Sequence, residues 1–174
     1  MTRKYFLASL AILFLNSCGS QKQDPDSVNG FMGKYGNSDF EQFRNYSVFV
    51  RSYENRGKDA CIMVVNSRDT GTCRLPYTLV MEKSSLQVLE LRNSESRDQH
   101  CNLDTSVARK LAMELLKMDV HGIGMDTNAN VFVNIEGKES GSAELVRFSD
   151  KKFITGIYQK NYKPIGNNWY KRTE

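Results

Sequence analysis

Residues 104–135 read DTSVARKLAMELLKMDVHGIGMDTNANVFVNI, and this stretch sets the fold class. Val107, Ala108, Leu111, Ala112, Leu115 and Met118 recur at helical spacing, with Arg109, Lys110, Glu114 and Lys117 mostly off the stripe. That pattern predicts an amphipathic helix. Asp104-Thr105 supplies the side-chain oxygens that cap such a helix. A hairpin is expected next, turning at Thr127-Asn128-Ala129. With Asp126 opposite Asn130, Met125 meets Val131, Ile123 meets Val133 and His121 meets Ile135, so one side is almost wholly apolar. Phe132 then lies across from Gly124 and covers the gap that glycine leaves.

The flanking sequence repeats the theme. Ala60 to Val65 is a short apolar run that suits a buried strand. Residues 77–82 and 86–91 alternate around Lys83-Ser84-Ser85, predicting a hairpin with Leu79 opposite Leu89, Tyr77 opposite Leu91 and Val80 opposite Val88. Residues 143–148 and 153–158 read as strands joined by Ser149-Asp150-Lys151-Lys152, and 168–171 as a last short strand. Ser38 and Glu41 have capping-box spacing, which suggests a helix over 39–46. Residues 46–53, YSVFVRSY, read equally as a strand because they are β-branched and aromatic. The expected class is α+β, a mostly antiparallel sheet of hairpins with one or two amphipathic helices, in a single domain over residues 30–174.

Composition agrees with a folded domain. Of 174 residues, 40% are apolar, 25% are charged and only three are proline, which argues against a collagen-like or disordered chain. The net charge of +4 is too mild to imply nucleic acid.

The first 18 residues carry an address. Arg3 and Lys4 precede an apolar segment, Tyr5 to Leu15, broken only by Ser9. It is shorter than the ~20 residues needed to span a bilayer and has signal-peptide anatomy. Leu15-Asn16-Ser17-Cys18 resembles the lipobox of bacterial lipoproteins. The resemblance implies that residues 1–17 are a signal peptide and that Cys18 is acylated on its sulfur and its amine. Gly19 stands where lipoproteins kept at the inner membrane often carry Asp, so the resemblance favours the outer membrane. Residues 18–29, CGSQKQDPDSVN, read as a polar tether from the lipid to the domain.

Three further cysteines remain: Cys61, Cys73 and Cys101. An exported domain meets an oxidising compartment, where disulfides persist. Cys61 and Cys73 flank a predicted turn and are the expected pair. His100-Cys101 near them fits no zinc spacing, and neither a metal nor a cofactor is expected.

Motifs of catalysis are missing. There is no Walker A sequence, GxSxG, HExxH or CxxC, and Gly122-Ile123-Gly124 lacks the third glycine of a dinucleotide loop. Residues 126–130, DTNAN, mimic the opening of an EF-hand loop. The sixth and twelfth positions hold Val131 and Gly137 instead of Gly and Glu, so a turn explains them better. A hydrolase acting on an envelope polymer would have to draw on Glu82, Glu90, His100 and His121.

The C-terminus stands apart. Residues 151–174 hold Lys151, Lys152, Lys160, Lys163, Lys171 and Arg172 against Glu174 alone, a charge of +5. Tyr158, Tyr162, Trp169 and Tyr170 are interleaved with them. Aromatic residues and arginine are over-represented at binding hot spots. Tyr158, Tyr162, Lys163, Trp169, Tyr170 and Arg172 are therefore the candidate partner-binding residues. The competing expectation is that the aromatics cover the sheet, with Trp169 as core. The functional expectation is a non-enzymatic, lipid-anchored envelope protein that binds a protein partner, either as an immunity or inhibitor protein or as an accessory of envelope assembly. Binding of peptidoglycan or another anionic envelope ligand is the alternative, and an unrecognised envelope-polymer hydrolase the second.

Overall fold

The computed structural model describes residues 28–66, 77–93, 105–135 and 143–173. They form three α-helices and one nine-stranded antiparallel sheet, an α+β fold. The strands are β1 (Tyr46–Glu54), β2 (Asp59–Asn66), β3 (Tyr77–Glu82), β4 (Gln87–Asn93), β5 (Gly122–Met125), β6 (Val131–Asn134), β7 (Leu145–Arg147), β8 (Tyr162–Gly166) and β9 (Trp169–Arg172). Their order across the sheet is β4-β3-β2-β1-β5-β6-β7-β9-β8. Helix α2 (Thr105–Met118) connects edge strand β4 back to β5, which pairs with β1 at the centre. No helix among the described residues is long and apolar enough to cross a membrane.

The two sides of the sheet differ. On one, which we call the helix side, α2 buries Ala108, Leu111, Ala112, Leu115 and Met118 against Val48, Val50, Ile62, Leu79, Ile123 and Val133. Helix α1 (Val28–Tyr35) joins the same core through Phe31 and takes Val28 and Asn29 from the expected tether. On the far side, Val146, Phe148 and Tyr162 form a smaller core. Phe153, Ile154 and Tyr158 pack against it.

The hairpin of β5 and β6 has the expected register, with Met125 opposite Val131, Ile123 opposite Val133 and Gly124 opposite Phe132. Gly124 has a second reason to be glycine: a Cβ there would lie 3.0 Å from Ser47 Oγ and 3.2 Å from Tyr46 O.

Four expectations need correction. The β3–β4 hairpin pairs Leu79 with Leu91 and Met81 with Val88. Leu86 adopts a left-handed conformation (φ 56°) that lengthens the turn, and the register shifts again at Val80/Met81, leaving Leu89 out of the pairing and 53% exposed. The helix expected over 39–46 is a single 3-10 turn, Glu41–Phe43. Left-handed Phe40 and Asn45 bracket that turn, and the strand reading of 46–53 holds as β1. The segment 153–158 is not a strand. A 3-10 turn, Lys151–Phe153, is capped by Asp150, and Gly156 (φ 57°) turns the chain into α3 (Ile157–Asn161). Strand β8 has no counterpart among the expected elements, and its Pro164 suits only an edge position. It survives as an edge strand, hairpinned to β9 through Asn167 and Asn168, both at positive φ. Successive positive φ values fit the turns that match strand twist.

Both edges are blunted against a further strand. Edge strand β8 carries Pro164 and exposed Lys163, and β4 carries the irregularity at Leu89.

Candidate functional site

Strand alternation divides the six C-terminal candidates between the two sides of the sheet. Tyr162 opposes Arg172, and Tyr170 opposes Val146, all on the far side. Tyr158 arrives from α3. Its ring centroid lies 5.4 Å from Tyr162 and 5.1 Å from Phe148, which in turn is 5.3 Å from Tyr170. Phe132 closes the group at 6.3 Å from Tyr158. These separations suit edge-on and tilted aromatic packing.

Within this cluster the tyrosines differ in access. Tyr162 is buried and its hydroxyl donates to the Ala143 carbonyl at 2.6 Å. Tyr158 and Tyr170 are half-buried. Burial pushes the Tyr158 and Tyr162 phenols above their ordinary pKa. The Asp126 charge adds to the shift on Tyr158; on Tyr162, Tyr158 adds to it and Arg172 opposes it. Both phenols therefore stay neutral at physiological pH, Tyr162 donating to Ala143 O and Tyr158 keeping its proton as a donor. Beside them Ile157 is 57% exposed, Lys160 is exposed and Arg172 is half-buried. The result is a surface of half-covered aromatics, one bare aliphatic group and two cations.

Trp169 and Lys163 lie elsewhere. Trp169 is fully buried on the helix side and presents no surface to a partner, so the expectation of an aromatic anchor gives way there to the competing one of a core residue. Its Nε1 donates to the Gly36 carbonyl at 2.8 Å, and its ring stands edge-on to Phe31 at 5.9 Å and Phe40 at 6.0 Å. The Arg147 guanidinium lies 5.5 Å from the Trp169 ring centroid and 5.1 Å from that of Phe40. It donates to the carbonyls of Ser38 and Asp39, the latter at 3.0 Å. This clasp ties α1 and the left-handed Phe40 to β7 and β9. Lys163 sits opposite Lys171 on that same side, away from the tyrosines.

The other candidates are dispersed. Glu82 Oε2 accepts a hydrogen bond from Ser85 Oγ at 2.5 Å. Glu82 is paired with Gln87, and Glu90 with Val80. His121 precedes β5, so β2 and β1 separate it from Glu82, a span of about 14 Å at ~4.8 Å per strand. His121 packs instead against Tyr53, ring centroids 6.3 Å apart. His100 lies outside the described residues.

The DTNAN loop is a self-satisfied turn. Asp126 Oδ1 accepts from the Asn128 and Asn130 backbone N–H groups at 2.9 and 2.8 Å, and Oδ2 accepts from Asn130 Nδ2 at 2.9 Å. Asn130, 4% exposed, then accepts from the Ser149 N–H at 3.0 Å. Among the described residues no group of three His, Cys, Asp or Glu side chains could hold a metal. Cys61 is buried on the far side of β2, and Cys73 and Cys101 lie outside the described residues, as does Cys18.

What sequence reasoning missed was Ile157, placed in an expected strand. The Thr155-Gly156 pair was the signal, since glycine with positive φ ends an extended run. No family model, curated protein or solved structure matches the chain.

Proposed function

We propose that this chain is a non-enzymatic lipoprotein of the bacterial envelope, anchored through acylated Cys18, whose C-terminal far-side surface docks a protein partner. The observation that carries this reading is the surface formed by Ile157, Tyr158, Tyr170 and Arg172. Its most exposed member is an isoleucine, 57% accessible, set against half-buried tyrosines and an arginine. Such composition concentrates binding energy in few residues, with charges tuning encounter. The cations of this surface are Lys160 and Arg172, since Lys163 and Lys171 lie on the other side of the sheet, so the complementary partner face is acidic. Blunted sheet edges favour docking through side chains over addition of a strand.

Affinity purification from detergent-solubilised envelope tests the proposal, using the full chain and an Ile157→Asp variant side by side. One partner recovered by the parent, lost with the variant and rebound after purification supports it. A partner set unchanged by the substitution, or none recovered, refutes it.

A further inference from the structure

Helix α2 turns a second, different surface outward. Arg109, Lys110 and Lys117 are exposed along it and, with Ser106, Met113 and Glu114, line an open groove of about 400 Å³. Glu114 is committed to Lys117, Oε1 to Nζ at 2.7 Å. Arg109 and Lys110 have no ion pair among the described residues.

Two observations give this groove an orientation. Helix α1, which continues from the tether, packs on the same side of the sheet as α2, and the Tyr35 hydroxyl donates to the Lys117 carbonyl at 3.2 Å. Lys34 lies over the Tyr35 ring at 5.1 Å, adding a cation to that side. The strand carboxylates lie on the other side. Glu54 opposes Asp59, Asp59 opposes Glu82, and Glu90 opposes Val80, all alternating with the core-facing Ala60, Met81 and Leu79. The α2 cations thus face outward on the side of the sheet that carries α1, and the carboxylates of β1 to β4 lie on the opposite side.

We propose that the α2 groove is the surface on which this domain lies against an anionic phospholipid bilayer, with Arg109 and Lys110 taking headgroup phosphates. The inference rests on the lipid-anchor reading for delivery to the membrane, but the contact itself is independent of acylation. Basic side chains at a helix surface are attracted by anionic headgroups, and the attraction fades with salt. It leaves the Ile157–Arg172 surface on the far side of the sheet, turned from the membrane.

The test uses residues 18–174 carrying Cys18→Ser, so that no acyl chain contributes, co-sedimented with vesicles. Partition into phosphatidylglycerol–phosphatidylethanolamine vesicles is expected to exceed that into phosphatidylcholine vesicles by about tenfold or more and to fall as salt rises. Arg109→Gln with Lys110→Gln removes the preference, whereas Lys160→Gln retains it. Melting curves of each variant verify folding, which these exposed positions leave intact. Equal partition into both vesicle types, or a preference that survives the double substitution, overturns the proposal. So does full release by millimolar inorganic phosphate at constant ionic strength, which marks a site for the free ion. Failure of the anchor reading shows separately, as an unmodified Cys18 in a chain that still binds anionic vesicles.

Discussion

Replacing Trp169 by alanine probes the clasp that holds the N-terminal helix to the last strands. The ring is fully buried, contacts Phe31 and Phe40 edge-on and lies beneath Arg147. Removing a buried tryptophan costs about 3–5 kcal/mol. Its Nε1 bond to Gly36 O, 2.8 Å, is lost as well, and an orphaned buried carbonyl adds roughly 1 kcal/mol. The expected total is about 4–6 kcal/mol, a large share of the ~5–15 kcal/mol that stabilises a domain. A domain of this size loses roughly 2–4 °C per kcal/mol, so the midpoint should drop by about 8–24 °C. Trp169→Phe keeps most of the ring and isolates the hydrogen bond, with a cost nearer 1–2 kcal/mol. Trp169 is the only tryptophan of the chain, so its fluorescence reports this one site. Native emission should be blue-shifted and resist aqueous quenchers, with a red shift that coincides with unfolding by circular dichroism. A loss below about 1 kcal/mol for Trp169→Ala, or native emission typical of water-exposed indole, refutes the packing argument.

Three further outcomes follow from the geometry. Asn130→Ala leaves Asp126 Oδ2 and the Ser149 N–H without their buried partner and should cost about 1–3 kcal/mol in urea titration, whereas Thr127→Ala, exposed at the same turn, should change little. The Tyr158 and Tyr162 phenols are raised in the fold, so their contribution is fully present below the unfolded value of about 10 and is lost as pH rises through the folded values. Denaturant midpoints should therefore fall above about pH 10, and Tyr162→Phe should flatten that decline; an unchanged slope contradicts the assignment. Peptide mapping without reductant is expected to yield a Cys61–Cys73 linked peptide, and a linkage of either residue to Cys101 would replace that pairing.

How much of this was legible in the sequence depends on which force dominates locally. The α2 stripe and the β5–β6 register were readable because one continuous apolar face specifies each, and a one-residue slip would expose it. The β3–β4 register was not. Both of its sides carry apolar groups, so burial does not choose between pairings, and the left-handed Leu86 decides. Residues 153–158 misled for a related reason. Phe153, Ile154 and Tyr158 do cover the sheet, but from a turn and a short helix. In the candidate site, composition singled out a segment but not its sides. Alternation along β8 and β9 sends Tyr162, Tyr170 and Arg172 one way and Lys163 and Trp169 the other, and that division became visible only once β8 was known to exist.

The anchor at Cys18 is the central claim, because it fixes the compartment in which any partner is met. Mass spectrometry of the mature protein purified from a bacterial envelope measures it directly. The account predicts a chain that begins at Cys18 and carries a diacylglyceryl group on its sulfur and an acyl chain on its amine, both absent from the Cys18→Ala variant. A chain beginning at any other residue, or at Cys18 with a free thiol and amine, would contradict it.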